Sequence, residues 1–272
     1  MKFAMCNEFC QGWSVCDAIR LAADTGYEGV EVAPFTIADD VRNVPISKRD
    51  EIRSCAEKEG IRIIGLHWLL TKPEGLHFTT NDAALRKRTR DYLDSLIDFC
   101  ADLGGDRMVF GSPKSRNMLP GLRYREAWSN AVESFKSLMP KAQERGVTIC
   151  LEPLSYFETD FIMTVEEGCR MCDDVNHPNF KVHIDVKAMS AERKPIDEVI
   201  RGARGYVGHF HVNDANKNGP GWGNTDYAPI VKAVREIGYD DFASVEVFDF
   251  SFPPRAIAKR SLDFLQEAWA KY

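Results

Sequence analysis

The chain has 272 residues, 44% of them apolar, with 35 Lys plus Arg against 41 Asp plus Glu for a formal charge of −6 and a pI near 5.6. That is enough chain for one full α/β barrel core or for two smaller domains. The acidic balance argues against sequence-independent nucleic-acid binding. The lack of any run of about 18 apolar residues argues against a membrane span, and the opening MKFAMCNEFCQGW has no secretory-leader pattern, so a cytoplasmic protein is expected.

One grammar recurs in chain order: an amphipathic helical pattern closes at a glycine, and a short apolar run follows. KFAMCNEF is the first run. A helical pattern near 14–25 stops at Gly26 before DTGYEGVEVAP, and one near 47–59 stops at Gly60 before EKEGIRIIGLHW. A pattern near 81–103 stops at Gly104 or Gly105 before DLGGDRMVFGS, and one near 124–145 stops at Gly146 before QERGVTICLEP. Patterns near 164–174, 195–204, 227–237 (closed by Gly238) and 254–270 alternate with FKVHIDV, YVGHFHV and FASVEVF.

The runs are apolar throughout, as in strands covered on both faces. Eight strands in strict alternation with helices predict a parallel sheet with right-handed crossovers, closed as a (β/α)8 TIM barrel in a single domain over 1–272. A doubly wound open sheet would place a glycine-rich phosphate loop after its first strand, and NEFCQGW is not one. Cys6, Cys10, Cys16, Cys55, Cys100, Cys150, Cys169 and Cys172 are scattered among apolar neighbours and read as reduced thiols. Cys169 and Cys172 form a CxxC on a helical segment, which reads as helix packing rather than a redox pair.

In such a barrel the chemistry sits at the carboxyl ends of the strands. The last four runs end on Glu152, Asp185, His211 and Glu246, separated by 33, 26 and 35 residues, each about one strand and helix. Counting back by two predicts an inward row of Cys150, His183, His209 and Ser244, with Leu151, Ile184, Phe210 and Val245 facing helices. Any one member of the quartet could be a hydrogen-bonded rim residue. Together, three carboxylates and an imidazole suit one hard or borderline divalent cation, Mn²⁺ or Mg²⁺ with Co²⁺ tolerated, which would hold the carboxylates ionised.

The quartet and its surroundings, LEP, ID, HxHxND and SVEVF, resemble the xylose-isomerase-like barrel superfamily of sugar isomerases and epimerases. Within it the chain is similar to the ketose 3-epimerases and the sugar phosphate isomerase/epimerases, over essentially its whole length. The resemblance implies that Glu152, Asp185, His211 and Glu246 bind one divalent metal, that Glu152 and Glu246 act as the acid/base pair, and that Glu158 contacts substrate. The implied chemistry is proton removal next to a carbonyl and its return, through an enediolate stabilised by the metal, with no organic cofactor.

The departures from the family pattern fall where substrate would sit. A histidine expected three positions after Asp185 is Ala188, with Lys187 beside it, and an arginine expected six positions after His211 is Lys217. His67 and Trp68 close the third strand as a candidate hydroxyl partner and sugar-stacking ring, and Lys114 and Arg116 follow the fourth. These four cations (Lys114, Arg116, Lys187, Lys217) suit an anionic substituent on a small carbohydrate, or are solvated loop charges. His183 and His209 are expected as core histidines one layer down.

A metal-dependent sugar isomerase or epimerase acting on a keto sugar, sugar acid or keto-polyol is the favoured reading. A lyase or dehydratase on a keto-cyclitol or 3-keto-glycoside would share its first step. An endonuclease would need more metal ligands, and an intact quartet argues against a non-catalytic barrel. Neither nucleic-acid nor membrane partners are expected. A homo-oligomer is left open, with Phe248, Phe250 and Phe252 equally suited to an interface or the core.

Overall fold

Short, largely apolar strands need cover on both faces, and here the helices cover the outer face while the sheet closes on itself to bury the inner one. In the computed structural model, which describes residues 1–272, the strands are β1 (Lys2–Cys6), β2 (Gly29–Val32), β3 (Arg62–Leu66), β4 (Arg107–Phe110), β5 (Thr148–Leu151), β6 (Phe180–Asp185), β7 (Val207–Val212) and β8 (Phe242–Val245). They pair in sequence order, all parallel, and β1 pairs with β8 to close the barrel.

The helices are α1 (Val15–Thr25), α2 (Ile46–Glu59), α3 (Ala83–Asp102), α4 (Tyr124–Arg145), α5 (Val165–Val175), α6 (Val186–Met189), α7 (Ile196–Gly202), α8 (Tyr227–Ile237) and α9 (Pro254–Lys271). Eight lie where the periodicity predicts them. The ninth, α6, is a single turn too short to carry a period, and Asp185 creates it by accepting a bond from Ala188 N at 2.7 Å. The expected glycine stops hold: Gly26 and Gly146 have φ of 98° and 68° and their N–H groups bond back to the last turn of α1 and α4.

The predicted parity also holds. Leu151, Ile184, Phe210 and Val245 join the apolar cluster of 71 buried residues between sheet and helices. Emptying one such site, as in Phe210→Ala, costs about 3–5 kcal/mol. Inside the barrel, Ala4, Ile64 and Phe242 form a separate small apolar plug. Above the plug the interior is polar: His183 pairs in register with His209, Asp185 with His211, and His211 with Ser244. The β2–β3 ladder shifts register between Val30 and Glu31, and the β6–β7 ladder between Val182 and His183. Such irregularities re-aim a side chain, and both lie beside interior polar residues.

All eight cysteines are free. Cys169 and Cys172 are buried on α5, and burial first of all pushes the Cys169 thiol up to about 11 and that of Cys172 higher, unlike the lowered values of reactive thiols. No helix is long and apolar enough to cross a membrane.

Candidate metal centre and active site

Four successive strand tips deliver the predicted quartet to one end of the barrel. Glu152 follows β5, its N–H donating to Phe110 O at 3.0 Å, and Glu246 follows β8, its N–H donating to Val212 O at 3.3 Å. Asp185 closes β6: Oδ1 caps α6, and Oδ2 accepts from Asn213 Nδ2 at 2.6 Å, which aims the carboxylate from both sides. Ligand atoms of Glu152, Asp185, His211 and His183 lie within 4.8 Å of one another. Glu246 stands outside that group, its Oε2 3.1 Å from His211 Nδ1. His183, expected as a core histidine, therefore stands against the cluster.

The donor atoms behave as those of a cation site. His211 Nδ1, Glu246 Oε2 and both ring nitrogens of His183 are buried without a hydrogen-bond partner. Leaving a buried polar atom unpaired costs about 1–3 kcal/mol, and a divalent ion held by one His183 nitrogen, His211 and the neighbouring carboxylates would relieve that cost. Oxygen and imidazole donors fit such an ion without thiolate. Cys6 Sγ lies on the other side of the imidazole, 3.8 Å from His211 Nε2.

The electrostatics carry the same message. Burial, then the charges of Glu246 and Asp185, push the Glu152 carboxyl well above its ordinary range. Burial also pushes Asp185 up to about 6, against the pull of Lys187. Burial would raise Glu246 too, but His211 overcomes it and holds that carboxyl below its usual value.

Beneath the candidate ligands lie two supporting carboxylates, Glu31 and Glu8, that were not singled out from the sequence. Glu31 on β2 is fully buried and takes a bond from the Nε2 of both His209 and His211, the latter at 3.1 Å. Glu8, just after β1, accepts from Val247 N at 3.0 Å and bonds His67 Nε2 at 2.9 Å, tying the tips of β3 and β8 together. The only sequence signal was a lone carboxylate inside an apolar run, GVEV, and one in CNEF.

A cavity of about 320 Å³ opens at the candidate ligands, lined by Trp68, Leu70, Thr71, Ser112, Pro113, Lys114, Ser115, Leu154 and Phe248 with Glu152, Glu158 and Glu246. Trp68 stacks between Phe35 and Phe248, with ring centroids at 5.7 and 6.0 Å, and donates its indole N–H to Glu246 Oε1 at 2.8 Å. Trp68 and Ser112 both hold positive φ, 51° and 41°, a backbone state that costs about 1–3 kcal/mol and collects at functional sites. A larger groove of about 640 Å³ between α4 and α5, lined by Tyr124, Arg125, Trp128, Arg170, Asp173 and Asp174, holds none of the ligand cluster.

The remaining predicted residues divide. Glu158 lines the cavity and is paired with Lys187, Oε1 to Nζ 2.6 Å. Lys187 is buried and also sits 3.9 Å from the Phe248 ring centroid. Lys114 is exposed at the cavity wall. Arg116 is not at the surface: it is buried, and its Nη1 donates to the backbone carbonyl of Glu152 at 2.7 Å. Lys217 is exposed and does not line the cavity, but its carbonyl accepts from Phe248 N and Asp249 N. His67 is buried behind Trp68 and bonded to Glu8.

A family model described as a xylose isomerase-like TIM barrel matches residues 19–268. The chain belongs to this family. A D-psicose 3-epimerase from Agrobacterium fabrum is 31% identical over 237 residues, covering 85% of this chain and 78% of that protein. A D-psicose 3-epimerase from Ruminiclostridium cellulolyticum is 28% identical over 236 residues, covering 85% and 77%. The crystal structure of D-psicose 3-epimerase with D-tagatose from Clostridium cellulolyticum H10 matches the fold with a TM-score of 0.89 at 22% identity, over 99% of each chain.

The resemblance read from the four strand ends is thus borne out at the level of the xylose isomerase-like family, and the relatives named are carbohydrate epimerases. Against that family pattern the substrate-side departures stand in physical terms. Ala188 is buried in the α6 turn, and the cation beside the site is Lys187, already neutralised by Glu158.

Proposed function

We propose that the protein is a divalent-metal-dependent ketose epimerase that inverts a carbon next to the carbonyl of a small keto sugar. The observation that carries this reading is that Glu152 and Glu246 both line the cavity while flanking a cluster of unpaired buried donors. Glu152, Asp185, His211 and Glu246 would hold the ion, with His183 beside them. When bound, the ion supplies Lewis-acid stabilisation of negative charge developing on the substrate's carbonyl oxygen.

The chain's own residues supply the rest. One of the two glutamates takes the proton from the carbon, the other returns a proton from the opposite face, and their roles exchange with the direction of reaction. Trp68, clamped between Phe35 and Phe248, orients Glu246 through its N–H and closes one wall against water. Glu158, anchored by Lys187 and by Ser155 Oγ at 2.7 Å, offers its carboxylate to substrate hydroxyls.

The test is to incubate the protein with Mn²⁺, Mg²⁺ or Co²⁺ in D₂O against D-psicose, D-fructose, D-tagatose, L-ribulose, keto-acids, inososes and 3-keto-glycosides. The expected product is the epimer carrying deuterium at the inverted carbon. Loss of water or of a leaving group, or an epimer without solvent deuterium, would overturn the reading.

A further inference from the structure

A column of polar side chains runs through the barrel interior below the candidate metal ligands, and its hydrogen bonds have a direction. At the lower end Arg107 is held by Asp106 and Asp241, Nε to Oδ1 at 2.8 Å and Nη2 to Oδ2 at 2.9 Å. Its remaining Nη1 faces His209 Nδ1 at 3.4 Å. A guanidinium can only donate, so His209 Nδ1 is an acceptor and its proton sits on Nε2.

That Nε2–H donates to Glu31 Oε1, with Ser244 Oγ also nearby at 3.4 Å. The second oxygen of Glu31 is 3.1 Å from His211 Nε2, where Cys6 Sγ also lies at 3.8 Å. An ionised carboxylate can only accept, so His211 carries a proton on Nε2. Its other nitrogen, Nδ1, has no hydrogen-bond partner and faces the equally unpartnered Glu246 Oε2. A proton on Nδ1 bridges this 3.1 Å approach in the metal-free protein, and a divalent ion bound there would displace it.

We propose that Glu31 is a positioning residue: from beneath the site it fixes the His211 tautomer that presents Nδ1 as the metal-binding nitrogen, and His209 and Arg107 orient Glu31 in turn. The inference rests on the metal-centre reading above and extends it to a residue on the far side of the barrel that touches neither the ion nor substrate. Partners of this kind behind a ligating imidazole contribute about 10–100-fold to metal affinity. Glu31→Gln keeps the volume but turns one acceptor into a donor that opposes an imidazole N–H.

The experiment titrates Mn²⁺ into wild type and Glu31→Gln by electron paramagnetic resonance, with metal-free melting temperatures in parallel, and records ¹⁵N-histidine spectra of the Mg²⁺-loaded wild type. The expected results are a 10–100-fold weaker Mn²⁺ affinity in the variant and an Nε2–H signal for His211 in the loaded wild type. An unchanged Mn²⁺ affinity beside tight wild-type binding overturns the positioning role alone, even if the variant melts earlier. An Nδ1–H signal overturns it as well, and decides the matter if the variant does not fold. Absence of Mn²⁺ binding by the wild type removes the metal-centre reading itself, and the role of Glu31 with it.

Discussion

Trp68 and Glu246 are joined by a single 2.8 Å bond from the indole Nε1 to Oε1, and that bond divides the labour of one carboxylate. Oε2 is left facing His211 while Oε1 is held by a rigid, stacked ring. Trp68→Phe keeps the ring but removes the donor. A hydrogen bond to a charged group contributes about 1.5–3 kcal/mol, so kcat is expected to fall roughly ten- to a hundredfold with little change in Mn²⁺ affinity. Steady-state kinetics at saturating metal would check this, and a pure loss of metal binding would contradict it.

Glu152→Gln and Glu246→Gln each remove one member of the proposed acid/base pair. Each is expected to lower epimerisation by about 10²–10⁴-fold. The surviving glutamate can still exchange the proton on its own face. Nuclear magnetic resonance in D₂O should therefore find slow deuterium incorporation without inversion in at least one variant, whereas full turnover in either would defeat the assignment.

Gly111, following β4, is a position where even a methyl group has a cost. A Cβ there would overlap Glu152 Oε2. Gly111→Ala is expected to displace that carboxylate, weakening metal binding at least tenfold while far-ultraviolet circular dichroism stays native. Wild-type affinity in this variant would show that Glu152 does not need its present rotamer.

Metal uptake should be coupled to protons. In the metal-free protein burial raises Glu152 well above the ordinary range and brings Asp185 up to about 6, and a ligand must lose its proton to bind. Affinity is therefore expected to weaken as pH falls from 7 towards 5, with protons released on binding. Calorimetry in two buffers of different ionisation enthalpy measures that release, and a pH-independent affinity would contradict the prediction.

The Lys187–Glu158 pair has its own pH signature. Burial would raise Glu158, but Lys187 holds it below the usual carboxylate range. A depressed carboxyl stabilises the fold above its unfolded value and loses that contribution as pH falls through its folded value. Lys187→Met is thus expected to lower stability by about 1–3 kcal/mol at pH 7 and by less near pH 3. Urea denaturation at both pH values checks the sign, and an equal loss at both would assign the effect to packing against Phe248.

The fold was legible because the barrel repeats one local rule: glycine closure, a short apolar run, an amphipathic helix. The tips of β5 to β8 were legible because each ends an apolar run on a residue that apolar surroundings do not tolerate alone. Glu31 was not, since its partners His209 and His211 lie 178 and 180 positions away and a register shift at Val30 and Glu31 decides where it sits. Arg116 was read as a cation facing substrate or solvent because a loop sequence gives no depth. Its burial follows from the 3₁₀ turn Pro113–Ser115, which carries it beneath the carbonyl of Glu152. The pairing of Lys187 with Glu158 likewise depends on α6, a turn too short to announce itself.

The polar barrel interior sets a bound on how this protein can be improved. Replacing buried hydrogen-bonded or charged groups with aliphatic side chains of similar volume is often neutral or stabilising, and His183, His209 and Ser244 are all fully buried. A thermostability screen blind to activity would drift towards valine and leucine at these positions, filling the barrel with hydrocarbon as in its lower plug of Ala4, Ile64 and Phe242. The variants so selected would be robust scaffolds without the proposed metal centre, so selection for heat resistance and selection for the proposed activity would pull the same few interior sites in opposite directions.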